Sequence, residues 1–136
     1  MTWYPEAGDI VAIFENLRAS MEGKDLTPDD GLMDLGGLEG IIDRVKFGLP
    51  MHEETDLFLR AAILIRDITL DDFFTNGNKR VAFLAMYLFL EKNGFQWQCN
   101  TDLDEEFVLE IAKGNLTDLE LITNIIRERA RSADEE

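Results

Sequence analysis

The chain has 136 residues, the size of one compact domain, so a single core over residues 1–136 is expected. Hydrophobic residues make up 46% and charged residues 30%, with three prolines and ten glycines, which excludes collagen-like, low-complexity and disordered classes. Twenty-eight acidic against thirteen basic residues leave a formal net charge of -15, so neither nucleic acid nor an anionic membrane surface is expected as a partner.

The N-terminal residues Met1 to Glu6 have neither the basic start nor the apolar run of a secretion signal. From Asp9 to Met21, the spacing of Ile10, Ile13, Phe14, Leu17 and Met21 predicts an amphipathic helix. Gly23-Lys24-Asp25 and Pro28-Asp29-Asp30-Gly31 then predict a polar loop. A short helix follows from about Gly37 to Val45, and Lys46 to Met51 interrupts it. Between Thr55 and about Leu70, and again from Val81 to Leu90, apolar residues surround nearly the whole helix, which places both in the centre. The second of these runs is about half the roughly 20 residues needed to span a bilayer, so no membrane helix is expected. Asn93-Gly94 predicts a left-handed cap.

Phe95, Trp97 and Cys99 alternate with glutamines, a hint of a short strand. Two further helices are predicted, about Leu103 to Lys113 and Leu119 to Arg131. The second is expected to start with a capping box between Thr117 and Glu120. Cys99 is the single cysteine and has no partner for a disulfide or metal pair, which suits a reducing cytoplasm. Trp3 and Trp97 read as packing residues. The expected architecture is an all-α compact bundle of about six helices.

Chemistry concentrates in Asp71-Asp72-Phe73-Phe74-Thr75-Asn76-Gly77-Asn78-Lys79-Arg80, a polar stretch that opens directly into a buried helix. A helix start presents backbone N–H groups together and carries roughly half a positive charge. Lys79 and Arg80 add two cations in an otherwise acidic chain, and Arg grips phosphate oxygens through two parallel hydrogen bonds. The residues read equally as a phosphate cradle and as an ordinary inter-helix loop in which Asn76-Gly77 turns and Asn78 caps the next helix.

Phe74-x-Asn76-Gly77-Asn78-Lys79-Arg80 resembles the core of the Fic/Doc family motif, and Phe89 to Gly94 resembles the segment that follows it in Doc-like members. Gly37, Ile42, Arg44 and Val45, then Glu54 to Phe58, fall where such proteins carry similar residues, and the likeness extends over roughly residues 5 to 130. Lys79 and Phe83 occupy positions that are glycine and a second arginine in members transferring AMP, which brings the chain nearer the Doc-like members. The resemblance implies a Fic-fold helical bundle that phosphorylates a threonine of a translation elongation factor, with ATP and magnesium. It also implies a small antitoxin partner whose helix covers the cleft. By this resemblance Gly77, Asn78, Lys79 and Arg80 would bind the nucleotide phosphate. Asp72, Asn76, Lys79 and Arg80 would form the catalytic set, with Asn76 at the position that helps hold magnesium.

The family's catalytic histidine would stand two residues before Phe74, where this chain has Asp72. Imidazole titrates near pH ~6.5 and a carboxylate near ~3.9, so histidine is the better proton acceptor at neutral pH. Phosphoryl transfer nevertheless relies mainly on positioning and charge, and an aspartate takes the hydroxyl proton in protein kinases. Asp72 therefore reads either as a substitute base or magnesium ligand, or as a mark of lost catalysis in a binding module that holds a protein partner. His52 lies in the segment that docks the target in the family and reads as a surface residue beside Glu53 and Glu54, as Asp71 reads as a solvated turn residue.

Overall fold

Apolar residues at spacings of three and four build helices throughout the computed structural model, which describes residues 1–20, 23–48 and 56–133. Among the described residues there are six helices: α1 (Ala7–Ala19), α2 (Leu35–Phe47), α3 (Leu57–Asp71), α4 (Asn78–Lys92), α5 (Thr101–Ala112) and α6 (Leu119–Arg129). Two three-residue strands, β1 (Phe95–Trp97) and β2 (Ala130–Ser132), pair antiparallel with Phe95 opposite Ser132 and Trp97 opposite Ala130. The fold is mostly α, as expected. No helix among the described residues is long and apolar enough to cross a membrane.

Helix α3 is the centre of the bundle and packs against α2, α4, α5 and α6. Its run from Ala61 to Ile65 is fully buried on every side, which explains why its sequence lacks an amphipathic stripe. It starts at Asp56, whose carboxylate accepts the Leu59 N–H at 2.7 Å.

Helix α4 departs from the expectation of a helix buried all round. Val81, Ala82, Ala85, Met86, Phe89 and Leu90 enter the core, whereas Phe83, Leu84 and Tyr87 are half-buried and line a cleft. Apolar residues on all sides of α4 therefore serve two surfaces, the core and a concave wall. The helix also begins at Asn78, earlier than the apolar run at Val81, because the motif residues form its first turn. It ends at Asn93, followed by Gly94 at φ 88°, the left-handed cap that the sequence signalled.

The last helix starts at Leu119 as expected but differs in its cap and in its end. Asp118, not Thr117, is its N-cap, and its carboxylate accepts from Glu120 N at 2.8 Å and Leu121 N at 3.3 Å. The helix stops at Arg129 rather than Arg131, since residues 130–132 pair with β1. That pairing also ends the alternating segment at Trp97, leaving Cys99 exposed beyond the strand. Trp97 packs as expected. It is 3% exposed, stacks on Phe107, donates its indole N–H to Asp104 at 3.0 Å and lies under the Arg129 guanidinium. Trp3 packs partly buried against the core, and its backbone N–H donates to Asn93 Oδ1 at 2.8 Å. The α1 expectation reached Met21, which lies outside the described residues, and the helix ends at Ala19.

Candidate functional site

The loop from Asp72 to Gly77 joins the two central helices and is anchored by its own aromatic residues. Phe73 and Phe74 are buried, and Phe74 stacks on Phe14 of α1 with ring centroids 4.7 Å apart. The anchor thus reaches α1. Gly37 at the start of α2 makes room for Phe73: a Cβ there would stand 2.7 Å from the phenyl ring.

The loop between α1 and α2 clasps this segment. Met33 N–H donates to Phe73 O at 2.7 Å, and Thr75 N–H donates to Gly31 O at 3.0 Å. The Thr75 hydroxyl accepts from Gly31 N–H at 3.0 Å and donates to Asp30 at 2.9 Å. The Thr27 backbone N–H, and then the Thr75 hydroxyl, hold the Asp30 carboxyl below the usual carboxylate range.

Asn78 does not cap α4. Its side chain bridges back across the loop, with Oδ1 accepting Phe74 N–H at 2.9 Å and Nδ2 donating to Phe74 O at 2.8 Å. The N-cap is Gly77, at φ 82° and ψ 11°, and no side chain caps the helix. Glycine reaches that left-handed conformation without the Cβ penalty of other residues. Its own N–H donates to Asn76 Oδ1 at 2.7 Å. A helix of 15 residues thus starts at a bare, positively polarised end.

That end faces a polar cleft of about 350 Å³ lined by Asp72, Asn76, Gly77, Asn78 and Lys79, with Thr69, Leu70, Thr75 and Ala112. Asp72 terminates α3 in the left-handed region at φ 48° and is the one non-glycine residue with positive φ among the described residues. Aspartate tolerates this conformation better than bulkier side chains. The cleft therefore has one wall at the C-terminus of α3, bearing an exposed carboxylate, and an opposite wall at the N-terminus of α4, bearing Lys79.

Arg80 is not part of this lining. The residue lines a larger, mainly apolar cleft, and its guanidinium forms a two-pronged ion pair with Asp25, at 2.7 Å and 3.0 Å. This pair holds the Asp25 carboxyl below its ordinary range. Lys79 lines both clefts. The sequence-nominated residues thus separate into Asp72, Asn76, Gly77, Asn78 and Lys79 in one cleft and Arg80 at the boundary with another.

Two residues that sequence reasoning missed bear on the site. Thr69 is 5% exposed, lines the polar cleft, and its hydroxyl has no hydrogen-bond partner. A lone hydroxyl three residues before Asp72 in an apolar run was the available signal. Asp25 had none, because nothing local ties it to Arg80. Beside the cleft, Asp71 sits at the end of α3, where burial, and then the negative Asp67, push its carboxyl above the usual range. It belongs to the helix and not to a turn. His52, Glu53, Glu54 and Thr55 lie outside the described residues.

Among the described residues no group of three or more His, Cys, Asp or Glu side chains is placed to hold a metal ion. Asp72 and Asn76 nevertheless bring a carboxylate and an amide oxygen to one cleft, the donor type magnesium accepts alongside phosphate oxygens.

No protein-family model matches the chain. Over 66 residues it is 38% identical to the protein kinase doc of Escherichia phage P1, a stretch that covers 48% of this chain and 52% of that protein. The chain is thus similar to a phage Doc protein over about half the length of each.

Proposed function

We propose that residues 1–136 form a single Fic-fold, Doc-like domain of a toxin–antitoxin type, which binds the phosphate of a nucleotide and transfers phosphate to a hydroxyl of a protein target. The observation that carries this reading is the bare N-terminus of α4, opening at Gly77 into a polar cleft that also holds Lys79 and Asp72. The likeness to a protein named as a kinase supports phosphate transfer as the reaction class.

In this reading the N–H groups of the first turn of α4 and the Lys79 ammonium hold the transferred phosphate and stabilise the charge that develops on it. Asn78 keeps the loop folded against α4, so these donors are in place before the ligand arrives. Asp72 accepts the proton of the acceptor hydroxyl while the new oxygen–phosphorus bond forms, the terminal bridging bond of ATP breaks and ADP leaves. Asn76, with Asp72 beside it, would be the protein-side oxygen donor for a magnesium ion, which would supply neutralisation of phosphate charge. Arg80 contributes once its guanidinium exchanges Asp25 for a phosphate oxygen. The natural setting is the cytoplasm, with a small antitoxin as partner and, by resemblance, a translation factor as target.

A second reading, a catalytically degenerate module that uses the cleft to hold a protein partner, is favoured by Asp72 in place of histidine and by the engagement of Arg80 with Asp25. ATP labelled at the α or the γ phosphate, incubated with the protein and a cell lysate, separates the two. Protein-bound label from the γ position only is expected; label from the α position would mean nucleotidyl transfer. Absence of any labelled protein would remove the enzyme reading and leave the binding module. An Asp72→His variant that then gained labelling would locate the loss at that residue.

A further inference from the structure

Three polar residues are buried among those described: Asp67, Thr69 and Thr123. Two of them are satisfied by the protein. Asp67 accepts from Arg44 at 2.6 Å and from Arg66 at 2.8 Å. Thr123, on α6, donates its hydroxyl to Leu119 O at 2.6 Å, the carbonyl four residues back, which is the ordinary outlet for a threonine inside a helix. Thr69, on α3, has the Ile65 carbonyl at the same offset but makes no such bond, and its hydroxyl has no partner. A buried polar group left unpaired costs stability, so folded proteins keep few of them.

The surroundings of Thr69 define what it can meet. It lines the polar cleft with Leu70 and Asp72 of the α3 wall, and with Gly77, Asn78 and Lys79 across from them. The bare N-terminus of α4 and the Lys79 ammonium attract an oxyanion, but they donate to it from one side only. On the α3 wall Leu70 has no polar atom and the Asp72 carboxylate only accepts, so among these side chains the Thr69 hydroxyl is the donor. Its oxygen is covered in the ligand-free protein. A turn of about 120° around χ1 exchanges it with the methyl group, bringing the hydroxyl to the cleft and leaving the methyl in the dry position.

We infer that Thr69 is a ligand-contact residue of the polar cleft, its hydroxyl donating to an oxygen of the phosphate held at the start of α4. The assignment rests on the phosphate reading proposed above and adds a donor from the opposite wall, so that the anion is held from α3 as well as from α4.

Calorimetry with tripolyphosphate in magnesium-free buffer tests it on the wild type, Thr69→Val and Thr69→Ser. Valine keeps the shape and removes the hydroxyl; serine keeps the hydroxyl and removes the methyl group. The wild type is expected to bind, Thr69→Val about tenfold or more weaker, and Thr69→Ser within about threefold of the wild type. Equal affinity of the wild type and Thr69→Val overturns the inference and leaves the phosphate site standing. Equal losses in the valine and serine variants would make the volume of the side chain the cause, not its hydroxyl, and also overturn it. No tripolyphosphate binding by the wild type overturns the phosphate reading and this inference with it. Thr69→Ala carries the same comparison should Thr69→Val fail to fold.

Discussion

Asp25 and Arg80, from the loop after α1 and the first turn of α4, meet as a parallel two-pronged ion pair at 2.7 Å and 3.0 Å. Asp25 occupies the fork by which an arginine grips a phosphate, so it competes with any anion for Arg80. Asp25→Ala is expected to tighten tripolyphosphate binding several-fold, read by calorimetry. A weakened affinity would mean that Asp25 instead holds Arg80 in the binding pose. Because Arg80 holds the Asp25 carboxyl low, the pair persists at ordinary acidity and its contribution to stability disappears only as pH falls through that lowered value, below the 3.8 of a free aspartate.

Asn78 closes the motif loop through two hydrogen bonds to one residue, Phe74. Asn78→Ala removes both and leaves partly buried backbone groups unpaired, which costs about 1–3 kcal/mol in urea unfolding. Asn78→Asp keeps an acceptor for Phe74 N–H but loses the donor to Phe74 O, so it is expected to fall between the wild type and alanine.

Thr69 carries a buried hydroxyl that no protein group satisfies. Valine has nearly the same shape without that hydroxyl, so Thr69→Val is expected to stabilise the ligand-free protein by about 1 kcal/mol, seen as a higher melting temperature. An unchanged or lower melting temperature would show that the hydroxyl is already satisfied in solution.

Asp71 has its carboxyl pushed up by burial and by Asp67, so the folded state keeps the proton to higher pH than the unfolded chain. Between 3.8 and the raised value the folded state binds more protons, and stability falls with rising pH through that window. Asp71→Asn removes this contribution. Melting curves across the acid range should show the variant gaining on the wild type as pH rises, with no gain below the window.

Much of the architecture was legible because it depends on local pattern. Spacings such as Ile10, Phe14 and Leu17 mark a helix face in any context, and the apolar pattern between Thr55 and about Leu70 is too long for an ordinary strand, so it reads as a buried helix. The strand at Phe95 was visible as alternation, but its partner was not: Ala130 to Ser132 follows a helix without a break, and the pairing with β1 comes from a contact far along the chain. The cap of α6 was misplaced by one residue because Thr117 and Asp118 are both good caps, and only the backbone geometry chooses between them.

The sequence by itself determined the helical class, the two central helices and the motif from Asp72 to Arg80, since these follow from composition and short-range spacing. Tertiary structure decided how those motif residues divide. Asn78 turned back to Phe74, Gly77 became the bare start of α4, and Arg80 was drawn to Asp25, placing it at the edge of a second cleft. Each outcome depends on which groups meet after packing: a buried backbone group must find a partner, and a charge takes the nearest opposite one. The order of residues specifies the candidates for those meetings, and the packing of α1, α3 and α4 selects among them.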